Sequence, residues 1–341
     1  MRRFSCELCD GWVAFDSFRC PRCGVELGYV PEGQSVCAVH SVEPTLYSVR
    51  GTAVMQRRCL NAAWGCNWMV PAADRNDWCR ACQLTRGRPD EADPLAVDAW
   101  VSAEAVKRRL IHQLEELDLP IKPDTGDMQP DLVFDLVYLP GEVRVTGHLD
   151  GVVTLDLTET DDARREELRR SFHEPLRSIL GHLRHEVGHY YWPLLAARGE
   201  ALERFRTLFG DERFDYVTAL EAHHMTFEES DPGPDFVTPY AASHPLEDWA
   251  ETFAHYLHIH DALGSADSSG LRIDLDGIFR TRRSPGFRQD VARWLSIASA
   301  VNDVSRALGA APVYPVELGP VAIDKLAFVH DRIIEATRTT E

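Results

Sequence analysis

Five consecutive residues, His185, Glu186, Val187, Gly188 and His189, sit inside an apolar and aromatic segment that runs from Ile179 to Trp192. Residues four apart share one face of an α-helix, so both imidazoles can address a single metal ion while Glu186 reaches a water bound to it. That is the chemistry of metal-assisted hydrolysis. Two imidazoles leave the metal short of a third protein ligand, and the segment from Pro245 to Phe253 supplies candidates. Glu247 and Glu251 are four apart on a predicted helix, whereas Asp248 is turned about 100° away from Glu247. Glu247 is therefore read as the third ligand and Glu251 as the carboxylate that orients a ligating histidine; the reverse assignment satisfies the same spacing. Trp249, Phe253 and Tyr256 argue against a solvated face, since large aromatic side chains are seldom grouped where water surrounds a helix. Tyr240, on the approach to this helix, is read either as a donor to a developing oxyanion or as an aromatic packing residue. The remaining histidines of the region, His148, His173, His182, His223, His224, His255, His258 and His260, are read as surface or supporting residues, His255 and His258 being the two that face the same way as Glu251.

All nine cysteines fall within the first 82 residues. Cys6 with Cys9 and Cys20 with Cys23 form two C-x2-C pairs, the arrangement that gathers four thiolates around one zinc. Cys79 and Cys82 form a third such pair, and with Cys59 and Cys66 they are read as a second four-cysteine zinc site with an enlarged first knuckle. Cys37 is left over, either as a small buried apolar residue or as a ligand in place of Cys59; His40 is a further spare donor. Residues Met1 to Glu7 do not read as an export signal, so a reducing, cytoplasmic setting is expected, where disulfides do not persist. Metal ligation would supply much of the folding free energy of so small a module. The zinc expectation is one catalytic and two structural ions.

The polar, proline-bearing stretch 86–94 reads as a linker, which gives a zinc-ribbon domain over 1–88 and a second domain over 95–341 that carries the His-Glu-x-x-His segment. Apolar spacing predicts a helix over 101–117. Strand-forming runs at 132–139, 142–146 and 152–157 are cut by turns at Pro140-Gly141 and Asp150-Gly151. Helices are predicted over 162–170, 172–197, 200–208, 213–226, 245–260, 287–308 and 321–337. The fold class is thus α+β: a ribbon module with two four-cysteine sites, then a mainly helical domain with one small sheet. The strand from Gly151 to Leu157 is expected to be the sheet edge along which an extended peptide adds main-chain hydrogen bonds.

The 341 residues include 36 basic and 54 acidic side chains, a formal charge of −18. A chain so acidic repels phosphate backbones, so a nucleic-acid partner is not expected. No apolar run is long enough to span a membrane. The ribbons leave room for a protein partner.

Taken together, the segment from Arg184 to Trp192, the segment from His244 to His258, and the stretch from Asn61 to Pro71 resemble the bacterial family of zinc-binding metallopeptidases with an amino-terminal zinc ribbon. The resemblance extends to the 147–157 strand region and implies peptide hydrolysis by a zinc-activated water with Glu186 as general base. The order of Tyr240, Glu247 and Glu251 also resembles the lethal-factor-like zincins, in which the tyrosine assists catalysis, the first glutamate binds zinc and the second supports it; thermolysin-like enzymes carry Asp where this chain has Glu251. Two rival readings are an inactive ribbon-based docking module and a SprT-like DNA-associated protease, which would need His223 or His224 as third ligand.

Overall fold

A computed structural model of the chain describes residues 2–121, 131–140, 146–172, 178–226, 233–272, 286–315 and 317–338. The fold class is α+β with an amino-terminal zinc-ribbon region, as the cysteine spacing and helical periodicity imply. In the ribbon, β1 (Phe4–Ser5) pairs with β2 (Trp12–Val13). A five-stranded antiparallel sheet follows in the order β3 (Leu27–Val30), β4 (Ser35–Glu43), β5 (Leu46–Val49), β6 (Gln56–Arg58) and β7 (Met69–Pro71). A single turn of helix, α1 (Arg80–Gln83), begins immediately after Cys79 and carries Cys82 on its inner side.

The long helix α2 (Pro94–Glu116) starts seven residues before the periodicity implied. Asp93 caps it, its Oδ1 accepting from the backbone N–H groups of Leu95 (3.0 Å) and Ala96 (3.2 Å), and Pro94 at the first helical position supplies a preset φ. The first residue of the expected linker is tied to the sheet that follows. The Phe134 N–H donates to the Leu84 carbonyl (2.8 Å) and the Arg86 N–H to that of Phe134 (3.1 Å), so the chain leaving the ribbon runs beside the next sheet.

That sheet has the order β8 (Val133–Val137), β10 (Val152–Asp156), β9 (Gly147–Leu149). β10 is parallel to β8 and antiparallel to β9. The expectation that 151–157 forms a free edge is therefore corrected: β10 is the central strand. Asp150 (φ 46°) and Gly151 (φ 81°) both adopt the left-handed conformation of a two-residue hairpin turn, which lays β9 along one side of β10, and β8 pairs along the other side, which leaves β9 at the edge. The expected 142–146 strand falls largely outside the described residues.

The helices are α3 (Asp162–Phe172), α4 (Ile179–Leu195), α5 (Gly199–Phe209), α6 (Tyr216–Thr226), α7 (Pro245–Ser268), α8 (Phe287–Ala307) and α9 (Pro320–Arg338). α4 is shorter than the predicted 172–197 helix; Ser178 caps it through Oγ, which accepts from the Gly181 N–H at 3.0 Å, and residues 173–177 are outside the described part. α4 and α7 cross at the centre, with Val187, Tyr191, Trp249 and Phe253 all buried, each worth about 2–3 kcal/mol of apolar burial. The apolar core is continuous from Phe15 and Trp68 in the ribbon, through Trp100 and Leu110 on α2, to Tyr191 and Phe253. Among the described residues no helix is long and apolar enough to cross a membrane.

Candidate active site

The site sits where α4 meets α7. Gly188 makes the close approach possible: a Cβ there would stand 3.0 Å from the Ala250 Cα and 3.1 Å from its carbonyl oxygen. The Trp249 indole N–H donates to the Gly188 carbonyl at 2.8 Å, and the Tyr191 and Phe253 rings stack with centroids 5.4 Å apart. Arg184, buried on α4, fixes the helix from the other side. It donates to Gln113 Oε1 on α2 (2.7 and 3.0 Å) and to Asp261 on α7 (2.7 Å), and meets His258 Nδ1 at 2.6 Å.

The structure brings His185, His189 and Glu247 together. His185 Nε2 lies 3.1 Å from His189 Nε2 and 3.0 Å from Glu247 Oε2, and His189 Nε2 lies 3.3 Å from Glu247 Oε1. Donors at about 2.0–2.1 Å from a tetrahedral zinc are about 3.3 Å from one another, so the triangle has the dimensions of one face of such a site. Glu251 stands on the opposite side of the His185 ring, its Oε1 2.6 Å from Nδ1. Thr238 donates from Oγ1 to Glu251 Oε2 at 2.6 Å and accepts from the Ala241 N–H at 3.2 Å, which ties Glu251 to the 3-10 turn Tyr240–Ser243. In its neutral form His185 donates from Nδ1 to Glu251. Its Nε2 lone pair then faces Glu247 Oε2, which is buried and has no donor.

The electrostatics of this pocket call for positive charge. Burial alone would push the His185 imidazole toward neutrality, yet the adjacent Glu247 and Glu251 hold its pKa well above the ordinary value. Burial would likewise raise Glu247, yet His189 and His185 hold its carboxyl well below the usual range. A divalent cation bound to two imidazole lone pairs and a carboxylate satisfies the same need.

Glu186 is buried on α4, with its Oε1 3.7 Å from His182 Nε2. Tyr240 is half-buried, its ring 6.0 Å from that of His185, and burial followed by the Glu247 charge pushes its hydroxyl well above the ordinary pKa. Sequence reasoning missed Tyr216, whose hydroxyl donates to Glu247 Oε1 at 2.5 Å; it lies 31 residues before its acceptor and has no local signal. His244 secures that corner by accepting the Leu246 N–H on Nδ1 and donating from Nε2 to the Phe214 carbonyl, with the Tyr216 ring edge-on at 5.1 Å. His255 pairs with Tyr314 and His258 with Arg184, so neither joins the triangle. His148 on β9 stacks parallel to His189 with centroids 6.4 Å apart. Burial, then the His189 charge, draws its pKa down to about 4. His173 and the side chains of His223 and His224 lie outside the described residues.

In the ribbon, Cys6, Cys9, Cys20 and Cys23 converge, as do Cys59, Cys66, Cys79 and Cys82. Sulfur–sulfur distances are 3.7 Å (Cys6–Cys23), 3.6 Å (Cys9–Cys20), 3.7 Å (Cys66–Cys79) and 3.8 Å (Cys82–Cys66). Thiolates about 2.3 Å from one tetrahedral zinc would stand about 3.8 Å apart, whereas a disulfide requires about 2.0 Å. Cys37 on β4 is outside both clusters, its sulfur 3.9 Å from the Ser35 carbonyl, and His40 is exposed on the same strand.

A ribbon with two four-cysteine clusters, joined to a helical domain whose central helix carries His-Glu-x-x-His opposite a buried glutamate, defines the class as a zinc-binding protein of metallopeptidase type. The chain belongs to the family described as "Putative zinc-binding metallo-peptidase", whose model matches residues 96–332, and a zinc-ribbon domain model matches residues 3–93. It is 38% identical over 337 residues, 98% of this chain and 96% of the relative, to proteins from Mycobacterium bovis and from two strains of Mycobacterium tuberculosis, each described as an uncharacterized protein. No solved structure matches.

Proposed function

We propose that the chain is a zinc-dependent metallopeptidase, with a ribbon domain over 1–88 holding two structural zinc ions and a catalytic domain over 95–341 holding a third. His185, His189 and Glu247 are the ligands of the catalytic ion, Cys6, Cys9, Cys20 and Cys23 those of the first structural ion, and Cys59, Cys66, Cys79 and Cys82 those of the second. The observation that carries this reading is the donor triangle of 3.0–3.3 Å edges with an unsatisfied buried carboxylate oxygen at one corner.

Zinc held there would polarise the scissile carbonyl and acidify a coordinated water. Glu186 takes a proton from the attacking water and later returns it to the departing amine nitrogen as the C–N bond breaks. Tyr240 donates to the carbonyl oxygen as negative charge develops on it. Glu251 holds His185 in the tautomer whose Nε2 is free to ligate, and Tyr216 occupies Oε1 of Glu247, leaving Oε2 for the metal. The substrate is a peptide or protein; its extended backbone lies along β9, the edge beside His189, rather than along β10. Thiols arranged for zinc fit a reducing, cytoplasmic compartment, and the ribbon is free to dock a protein partner; nucleic acid is not a partner.

The deciding experiment pairs metal analysis with a peptide-library digest for the wild type and Glu186→Gln. Three zinc ions per chain in both proteins, with cleavage only in the wild type, is the expected result. A Glu186→Gln protein that still cleaves would sink the mechanism.

A further inference from the structure

The general base has a support that the zinc chemistry leaves unused. Glu186 projects from α4 into a buried position, and the side chain beside its carboxylate is His182, one turn earlier on the same helix, with Nε2 3.7 Å from Glu186 Oε1. The other nitrogen of His182 is committed: Nδ1 lies 3.0 Å from Oε2 of Glu159, and a carboxylate can only accept, so Nδ1 carries the proton. Glu159 is itself buried in the 3-10 turn Leu157–Thr160 that follows β10. Its Oε1 accepts from the Thr146 hydroxyl at 2.7 Å, and that same oxygen of Thr146 accepts the Asp156 N–H at 3.2 Å. Polar contacts therefore run from Thr146, just before the edge strand β9, through Glu159 to His182, whose ring stands against the Glu186 carboxylate at 3.7 Å; with the proton on Nδ1, Nε2 presents only a lone pair there, so the ring constrains Glu186 by occupying space and by repulsion rather than by a hydrogen bond.

We propose that His182, locked by Glu159, is the positioning residue of Glu186: it sets the rotamer in which the carboxylate faces the metal site. This rests on the peptidase reading of Glu186. A glutamate has three rotatable side-chain bonds, and one that must meet a proton within hydrogen-bond reach gains from a neighbour that removes the unproductive rotamers. His182 can do this because its own ring is fixed by a buried carboxylate rather than by solvent. Glu159 in turn is fixed by Thr146, so the arrangement is anchored in the sheet that would receive the substrate.

The test is a double-mutant cycle on the zinc-loaded full chain, read by calorimetric binding of acetohydroxamate, a zinc chelator whose N–H and O–H groups lie within reach of a neighbouring carboxylate. In the wild-type background His182→Ala should weaken binding about tenfold, and in the Glu186→Gln background by less than about twofold, since a residue acting through Glu186 has nothing left to act on. In the wild-type background His182→Ala should also lower kcat while leaving KM and zinc content unchanged. Glu159→Gln, which keeps the shape, should give a smaller loss in the same direction and serves if His182→Ala does not fold. Equal loss in both backgrounds, or no loss in either, overturns the proposal. A wild type that binds acetohydroxamate but cleaves no peptide refutes the peptidase reading while the cycle still decides the role of His182.

Discussion

Gly188→Ala is the smallest change that tests whether the α4–α7 crossing sets the metal site. The added Cβ would stand 3.0 Å from the Ala250 Cα, 3.1 Å from the Ala250 carbonyl oxygen and 3.3 Å from the Phe253 Cβ. Carbon atoms pack best at about 3.5–4.0 Å, and two of the three neighbours are backbone, so the helices must part by about half an ångström. Two effects on stability oppose each other. Alanine is favoured over glycine inside a helix by about 1 kcal/mol, while overpacking a tight core costs about 1–3 kcal/mol, so the net loss is expected to be about 0–2 kcal/mol. The effect on the metal is less ambiguous. Glu247 lies one turn before Ala250 on the displaced helix, and about half an ångström is the tolerance within which such a constellation works. Zinc affinity at this site should fall about tenfold or more, measured by chelator competition with the two four-cysteine sites as internal references. A variant that melts higher than the wild type and holds all its zinc equally well would refute the reasoning, because helix propensity would then have outweighed a clash that did not occur.

Further expectations follow from the groups around the triangle. Tyr216→Phe should weaken zinc binding at the catalytic site about 10–100-fold and leave the ribbon zinc untouched; an unchanged affinity would deny Tyr216 any hold on Glu247. Glu247→Gln should abolish zinc at that site, whereas Glu251→Gln should retain it with weaker affinity, and a reversed order in metal analysis would exchange their roles. Acid stability should register His112, whose Nδ1 meets the Tyr29 hydroxyl at 2.8 Å and whose pKa burial, aided by Arg2, draws down to about 4. The folded state favours neutral His112, so its contribution is complete above the unfolded pKa of about 6.5 and is lost as pH falls toward 4, up to about 3 kcal/mol. Denaturant unfolding of wild type and His112→Gln with zinc in excess should show a shallower acid slope in the variant; superimposable slopes would rule this out.

What could be read from the sequence was local. The four-residue spacing of His185 and His189, the same spacing of Glu247 and Glu251, and the short-loop cysteine pairs are geometric relations within one element, and the structure places each pair as the spacing implies. The Asp150-Gly151 turn was legible for the same reason. The start of α2 lies seven residues before the apolar periodicity predicts, because Asp93-Pro94, a helix-start signal, belongs to a run of proline and acidic residues that fits a linker equally well. Other features depend on pairings between distant elements. No spacing connects Tyr216 to Glu247, or Glu159 to His182, and the choice of β9 over β10 as edge depends on which side β8 takes. Gly188 left a weak trace, as a glycine among large residues in a buried helix, but its meaning appears only once α7 lies against it.

The ribbon and α4 are joined by charge as well as by apolar contact. Glu104, Lys107 and Arg108 on α2 are buried; Lys107 Nζ lies 2.7 Å from Glu104 Oε1, Arg108 lies 3.7 Å from Glu104 Oε2, and the Cys82 sulfur lies 3.8 Å from that oxygen. Burial works against the Arg108 charge, but the thiolates of Cys66 and Cys82, together with Glu104, hold its pKa above the ordinary value. Four thiolates around one zinc carry a net charge of about −2, so the second cluster and these cations stabilise each other, and separating them would leave buried charge uncompensated at about 3–5 kcal/mol. The same helix carries Gln113, one turn and a residue beyond Arg108, and Gln113 grips Arg184, the residue immediately before His185. The position of α4 therefore depends on α2, and α2 sits where it does partly because a four-cysteine cluster faces its buried Arg108. The ribbon thus acts as a wall of the fold that holds the site, whatever else its outer surface binds.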